Sequence, residues 1–272
     1  SHSLALRASG TVVAWGDNTF GQTNVPAQAS NVVAVAGGGS HSLAMRANAP
    51  GLIWGRTSTF TFASGYAAIA AGGSFDLAMY PSGQVVAWGS QTTTPSSATP
   101  AIAIAAGDRC GFALHPNGTI VGWGFNTSGQ TNVPASATNA VSIAAGDDHT
   151  AALRADGTVL AWGDNSFGQT NVPAAASNTF ALAAGSVHSL ALIKDPAIVT
   201  LDNLNQTYDG TSKSAVATTE PPGLTVVFTY NGSPIAPTNA GTYTVIGSIS
   251  DPNYQGRATN TLVINPAQAT VI

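Results

Sequence analysis

The stretch HTAALRADGTVLAWG, His149 to Gly163, decides the fold of the first two-thirds of the chain. A short apolar run, Ala151 to Arg154, meets Asp156-Gly157, and a second run, Thr158 to Trp162, follows. Two such runs around an Asp-Gly pair predict a β-hairpin closed by a type I′ turn. The same place in other units holds Ser9-Gly10, Ser82-Gly83 and Asn117-Gly118, with Pro50-Gly51 as the outlier. A third strand precedes the hairpin, as in Val141 to Ala145.

Working outward, all five tryptophans sit in Trp-Gly pairs: Trp15, Trp54, Trp88, Trp123 and Trp162, spaced by 39, 34, 35 and 39 residues. A glycine closes each apolar strand: Gly38, Gly72, Gly107, Gly146 and Gly185. Each of the first four lies 16 residues before the next tryptophan. From tryptophan to the following glycine the distance varies: 23, 18, 19, 23 and 23. Paired strands resist length change and loops accept it, so each unit has a sheet half and a loop half. Three long loops share one pattern: GDNTFGQTNVP from Gly16, GFNTSGQTNVP from Gly124 and GDNSFGQTNVP from Gly163. The two middle units lack it.

Three or four short strands and one indole per unit predict an all-β fold of radially repeated small sheets. Neighbouring sheets would stack with Trp15, Trp54, Trp88, Trp123 and Trp162 as structural filling between them. The motifs HSLALRASGTVVAWG (His2 to Gly16) and NVPA…AVAGGGSHSLAM (Asn24 to Met45) resemble regulator-of-chromosome-condensation repeats. The likeness is to their short bacterial form, similar to the type II beta-lactamase inhibitory proteins. That resemblance implies a seven-bladed β-propeller. Only five tryptophan units and six HSLAL-like strands are present (from His2, His41, Phe75, Cys110, His149 and His188), so the propeller is expected to be incomplete, or else a smaller or open ring. The chain opens inside a repeat, which points to further repeats and an export signal upstream.

The repeat stops at Asp195-Pro196, and no tryptophan follows. Runs such as Val226 to Tyr230 and Tyr243 to Ile246, separated by Asp209-Gly210, Asn231-Gly232 and Asp251-Pro252-Asn253, read as a small β-sandwich. TYDGTSKSA, TYNGSPIAPTNAGTYTV and DPNYQG resemble the bacterial Ig-like modules called MBG or YDG domains. The expected organisation is 1–195 propeller repeats, 196–266 Ig-like domain and 267–272 the start of a further module, because Pro196-Ala197 recurs as Pro266-Ala267.

Composition narrows function. Eight Lys+Arg against twelve Asp+Glu leave a net charge of −4, and only 7% of the 272 residues are charged. Eight scattered cations build no basic patch, which argues against nucleic acid. No apolar run approaches the roughly 20 residues of a membrane helix. The single Cys110 excludes an internal disulfide and cysteine-clustered zinc; it reads as an unreactive buried thiol. His2, His41, His149 and His188 share one repeat position with Phe75 and Cys110, so they read as packing or hydrogen-bonding groups and no metal is assigned. His115 lies at a hairpin turn and is expected to be solvated. Asp147-Asp148 with Asp108 is the one place for a paired-acid or calcium site, and calcium's demand for about six to eight convergent oxygens weighs against it.

No catalytic constellation and no cofactor site can be singled out, so the chain is read as not an enzyme. The candidate binding residues lie on the long loops: Asp17, Asn18, Phe20, Phe125, Asn126, Asp164, Asn165 and Phe167. Aromatic anchors among amides form a rim for a protein or glycan ligand; the alternative is that each Phe packs within its loop while Asp and Asn cap turns. The expected role is a binding, adhesion or scaffold segment of a large secreted or cell-surface bacterial protein, with Ig-like modules as spacers. The resemblance also implies two other roles: inhibition of a secreted enzyme, as in the beta-lactamase inhibitors, and guanine-nucleotide exchange, as in the name-giving family.

Overall fold

A computed structural model describes residues 1–56, 60–90 and 92–267. The expected start of a further module, beyond Ala267, lies outside the described residues. The chain forms two compact units, Ser1–Leu192 and Ile193–Ile272.

The first unit is a β-propeller arc of six antiparallel sheets in chain order. They are β1 (His2–Leu6) with β2 (Val12–Gly16); β3 (Val32–Gly37), β4 (His41–Arg46), β5 (Ala49–Gly55) and β6 (Phe60–Phe62); β7 (Ala68–Ala71), β8 (Phe75–Met79) and β9 (Val85–Gly89). Then come β10 (Ala103–Ala106), β11 (Cys110–Leu114) and β12 (Ile120–Gly124); β13 (Ala140–Ala145), β14 (His149–Arg154) and β15 (Val159–Gly163); and β16 (Thr179–Ala184) with β17 (Ser189–Ile193). Successive first strands β3, β7, β10, β13 and β16 lie side by side, so each sheet stacks on the next.

Apolar burial between sheets holds the arc. Trp54 packs with Leu4, Leu6 and Val12 of the first sheet, and Trp162 with Phe112, Leu114 and Ile120 of the fourth. Trp123 packs with Phe75, Leu77 and Val85 of the third. Trp88 is half-buried and stacks on Phe62 of β6, ring centroids 5.4 Å apart. Trp15, in the first sheet, differs: it is 54% exposed.

The closing glycines have a steric cause. A Cβ on Gly38 would stand 2.5 Å from both the Gly72 carbonyl of the next sheet and the His41 ring, and Gly107 faces Gly146 in the same way at 2.6 Å. Only hydrogen fits where neighbouring backbones and a folded-back side chain meet. These junctions are also stitched by main-chain bonds from one sheet to the next, including Gly39 N to Gly72 O, Asp108 N to Asp147 O and Asp147 N to Ser186 O.

The hairpin turns are not type I′. Only the glycine has positive φ, as at Gly10 (76°), Gly118 (76°) and Gly157 (80°). Gly10 N donates to Arg7 O and Arg7 N to Thr11 O, which is a type I turn followed by a glycine bulge. Asp156 and Asn117 stay right-handed and cap the turn through Thr158 and Thr119. In the second sheet the turn is Ala47-Asn48, with Asn48 at φ 56°, and Pro50-Gly51 lies inside β5. The genuine I′ chemistry occurs in the second unit at Asn231-Gly232, φ 47° and 84°.

That second unit is a small all-β domain. A pair, β19 (Ile198–Asp202) with β21 (Val216–Glu220), faces a sheet ordered β20 (Asn205–Thr207), β25 (Arg257–Asn265), β23 (Gly241–Ile249), β22 (Val226–Tyr230). Between them Val199, Leu201, Tyr230, Val245, Leu262 and Ile264 form the core. Parallel pairings of β20 with β25, and of β18 (Asp195–Pro196) with β24 (Tyr254–Gln255), depart from a purely antiparallel sandwich.

Candidate functional site

All long loops lie at one end of the arc. The residue two after each tryptophan donates its amide to the residue preceding a central strand of the same sheet: Asp17 to Ser1, Arg56 to Ser40, Phe125 to Arg109 and Asp164 to Asp148. This end therefore collects the GxNxxGQ loops and the stitched junctions. The opposite end carries the hairpin turns and a shallow hollow of about 340 Å³ lined by Asn117, Asn139, Arg154 and Asp156 among others.

Inside each long loop the polar groups are consumed by the loop itself. Asp17 Oδ1 accepts from the amide and hydroxyl of Thr19, and Asp164 Oδ1 from those of Ser166. Both carboxyls are held below the usual carboxylate range, chiefly by those hydroxyl bonds. Asn18, Asn126 and Asn165 each donate to a second asparagine six residues on and accept the amides of Thr23, Thr131 and Thr170. These bonds tie the amides and carboxylates of each loop to one another.

The organising residue, which the candidate set omitted, is glutamine. Gln22 and Gln130 are fully buried and Gln169 nearly so. Each side-chain carbonyl accepts an amide of its own loop: Phe20, Ser128 and Phe167. Each main-chain carbonyl accepts a hydroxyl from the next sheet: Ser42, Thr150 and Ser189. Trp54 and Trp162 add their indole N–H to the first two. The recurrence of Gln six residues after Gly16, Gly124 and Gly163 was the available signal.

The histidines extend this relay. Ser42 and Ser189 spend their protons on Gln22 and Gln169, so the bonds from His2 Nε2 (2.8 Å) and His149 Nε2 (3.0 Å) are donated by the rings. The proton therefore sits on Nε2, and Nδ1 of both rings is buried with no partner among the described residues. Burial lowers the pKa of both, which favours the neutral ring. In the second sheet His41 bonds Asp76 at 2.7 Å, both buried, with Asp76 in the serine position. His115 is half-buried rather than solvated, with Nε2 shielded from water and Nδ1 3.3 Å from Thr119 Oγ1. Cys110 is fully buried, and burial pushes its thiol pKa to about 12. Among the described residues, no three His, Cys, Asp or Glu side chains converge as ligands for an ion.

What remains outward on these loops is aromatic. Phe20 is 46% exposed, Phe125 37% and Phe167 75%. The three are not equivalent. Phe20 and Phe167 occupy the fifth position of the loop, whereas Phe125 takes the place of Asp17 and Asp164. Gln130 consequently lacks an aspartate in its own loop and donates instead to Asp148 of the next sheet at 2.7 Å. Burial, together with Asp108, Asp147 and Asp164, pushes the Asp148 carboxyl above the usual range. Arg56 lies over Phe20 at 5.5 Å and Arg109 over Phe125 at 4.4 Å.

The profile of the MBG domain family matches residues 197–268, and that of the regulator of chromosome condensation (RCC1) repeat matches 1–22, 101–130 and 140–169. No curated protein matches. Among solved structures, the ectodomain of the Physcomitrella patens receptor kinase CR4 is 27% identical with a TM-score of 0.58; the match covers 68% of this chain and 54% of that one, so this chain spans about half its length. The CRINKLY WD40 ectodomain of the Arabidopsis thaliana receptor kinase ACR4 is 21% identical, TM-score 0.58, over 71% of this chain and 72% of that one. Prp20p from Saccharomyces cerevisiae gives 21%, 0.58, 71% and 68%. At these identities the last two speak for the propeller fold alone.

Proposed function

From a chain that carries RCC1 repeats followed by an MBG domain, a β-propeller binding or scaffold module, we propose a non-catalytic adhesion role in a large secreted or cell-surface bacterial protein. The loop end is its ligand-binding face, for a protein or a glycan, and the Ig-like domain is a spacer. One observation carries this reading: the loops spend their amides and carboxylates on their own rigidity and leave Phe20, Phe125 and Phe167 outward. Rigid aromatic rings on a pre-organised frame lose little entropy when they bind. The low charge and the buried, unreactive Cys110 fit display better than chemistry. Prp20p of the same fold has binding properties toward Gsp1p and histones, so the scaffold suits protein ligands. Among the described residues no helix is long and apolar enough to cross a membrane.

The test is binding of the whole chain to arrays of glycans and matrix proteins, beside a variant with all three phenylalanines changed to alanine. A ligand lost by the variant at unchanged melting temperature supports the reading; a ligand retained in full overturns the assignment of the face. Antibody labelling of intact cells decides the surface location.

A further inference from the structure

Resting on that reading, we propose that Phe167 is a receiving site for an arginine side chain of a basic partner segment. The chain supplies the template itself. At the loop end, Phe20 is covered by the guanidinium of Arg56, which stands two residues after the tryptophan of the next sheet. Phe167 holds the same loop position one sheet before the end of the arc. The sixth sheet has only β16 and β17, hence no tryptophan strand and no counterpart of Arg56. Among the described residues no cation lies over Phe167, and it is the most exposed ring of the three.

The surroundings favour a cation over a neutral group. On this sector stand Asp108, Asp147, Asp148 and Asp164 against the single Arg109, four negative charges to one positive. Asp164 belongs to the Phe167 loop, and its amide is bonded to Asp148 O. A guanidinium stacked on the ring face would gain the attraction that Arg56 finds at Phe20, in the negative field of this sector. Exposed Val187 on the adjacent junction offers apolar surface for the stem of the side chain.

The experiment uses a fluorescent peptide of alternating arginine and serine, with a citrulline counterpart of the same shape and no charge. Anisotropy is followed on the whole chain at low and high salt. The expected result is binding of the arginine peptide alone, weakened by salt and reduced several-fold to roughly tenfold by Phe167→Ala. Arg56→Ala uncovers Phe20 and is expected to raise the number of bound peptides. Equal binding of both peptides, still sensitive to Phe167→Ala, overturns the arginine assignment while leaving the loop end a binding face. Arginine-peptide binding indifferent to Phe167→Ala, or no binding at all, overturns the inference, and the array measurement with the triple variant then reports separately on the broader reading.

Discussion

The indole N–H of Trp162 donates to the main-chain carbonyl of Gln130 at 2.8 Å, and Trp54 repeats the bond to Gln22 at 2.9 Å. Among the described residues Trp123 and Trp88 have no such acceptor for their buried N–H groups. The cause is local: both follow a shortened unit that lacks the GxNxxGQ loop. The loop therefore serves two ends, presenting a ring outward and fastening the next sheet inward.

A comparison of tryptophan variants follows from this. Trp162→Phe and Trp123→Phe remove similar volume, but only the first loses a hydrogen bond. Trp162→Phe is expected to destabilise by about 1 kcal/mol more than Trp123→Phe in urea unfolding. Equal losses would mean the Gln130 bond adds nothing.

His149 gives a pH dependence. Its pKa is lowered in the fold by burial, so the stability tied to the neutral ring is present above the unfolded value of about 6.5 and is lost as pH falls through the lower folded value. His149→Phe, which imitates Phe75 in the equivalent slot, costs about 1 kcal/mol at neutral pH through the lost Ser189 bond and flattens the acid side of the melting curve. An acid limb of unchanged slope in the variant would contradict this.

Asp148 has the opposite sign. Its raised pKa means that ionisation costs stability as pH rises through the carboxylate range. Asp148→Asn keeps an acceptor for Gln130 and removes the charge, so the variant melts higher than wild type at pH near 7 and the gap closes toward pH about 3. A gap that widens on acidification would show the charge to be favourable.

Cys110 is expected to resist a thiol reagent in the native protein and to react in full after unfolding, since burial holds its thiol protonated. Gly146→Ala places a methyl against the His149 ring and 2.5 Å from the Gly185 carbonyl, and should cost about 1–3 kcal/mol by overpacking.

The sequence made the sheets legible because tryptophan and glycine recur at a fixed distance, and a fixed distance means paired strands. It made the turns only half legible: Asp156-Gly157 names a tight turn, but whether Asp joins glycine at positive φ depends on strand twist and register, and here a glycine bulge carried the reversal. The loops were legible as a pattern and not as roles. Asp17 and Asn18 look like ligands for a partner in one dimension; in three, Thr19, Gln22 and Thr23 already hold them. Gln22 passed unnoticed because its work is done by a main-chain carbonyl facing another sheet, which no side-chain motif announces. Likewise Trp15 reads like its four counterparts, and only the structure shows its ring 54% exposed.

The most direct test of a rigid loop frame displaying its rings is amide hydrogen exchange at Phe20, Thr23, Thr131, Phe167 and Thr170, whose N–H groups are bound by Gln22, Asn18, Asn126, Gln169 and Asn165. The account predicts protection at these amides comparable to that of the flanking strands, with Gln169→Ala freeing Phe167 and Thr170 together. Exchange at the rate of an open chain in the wild-type protein would contradict it.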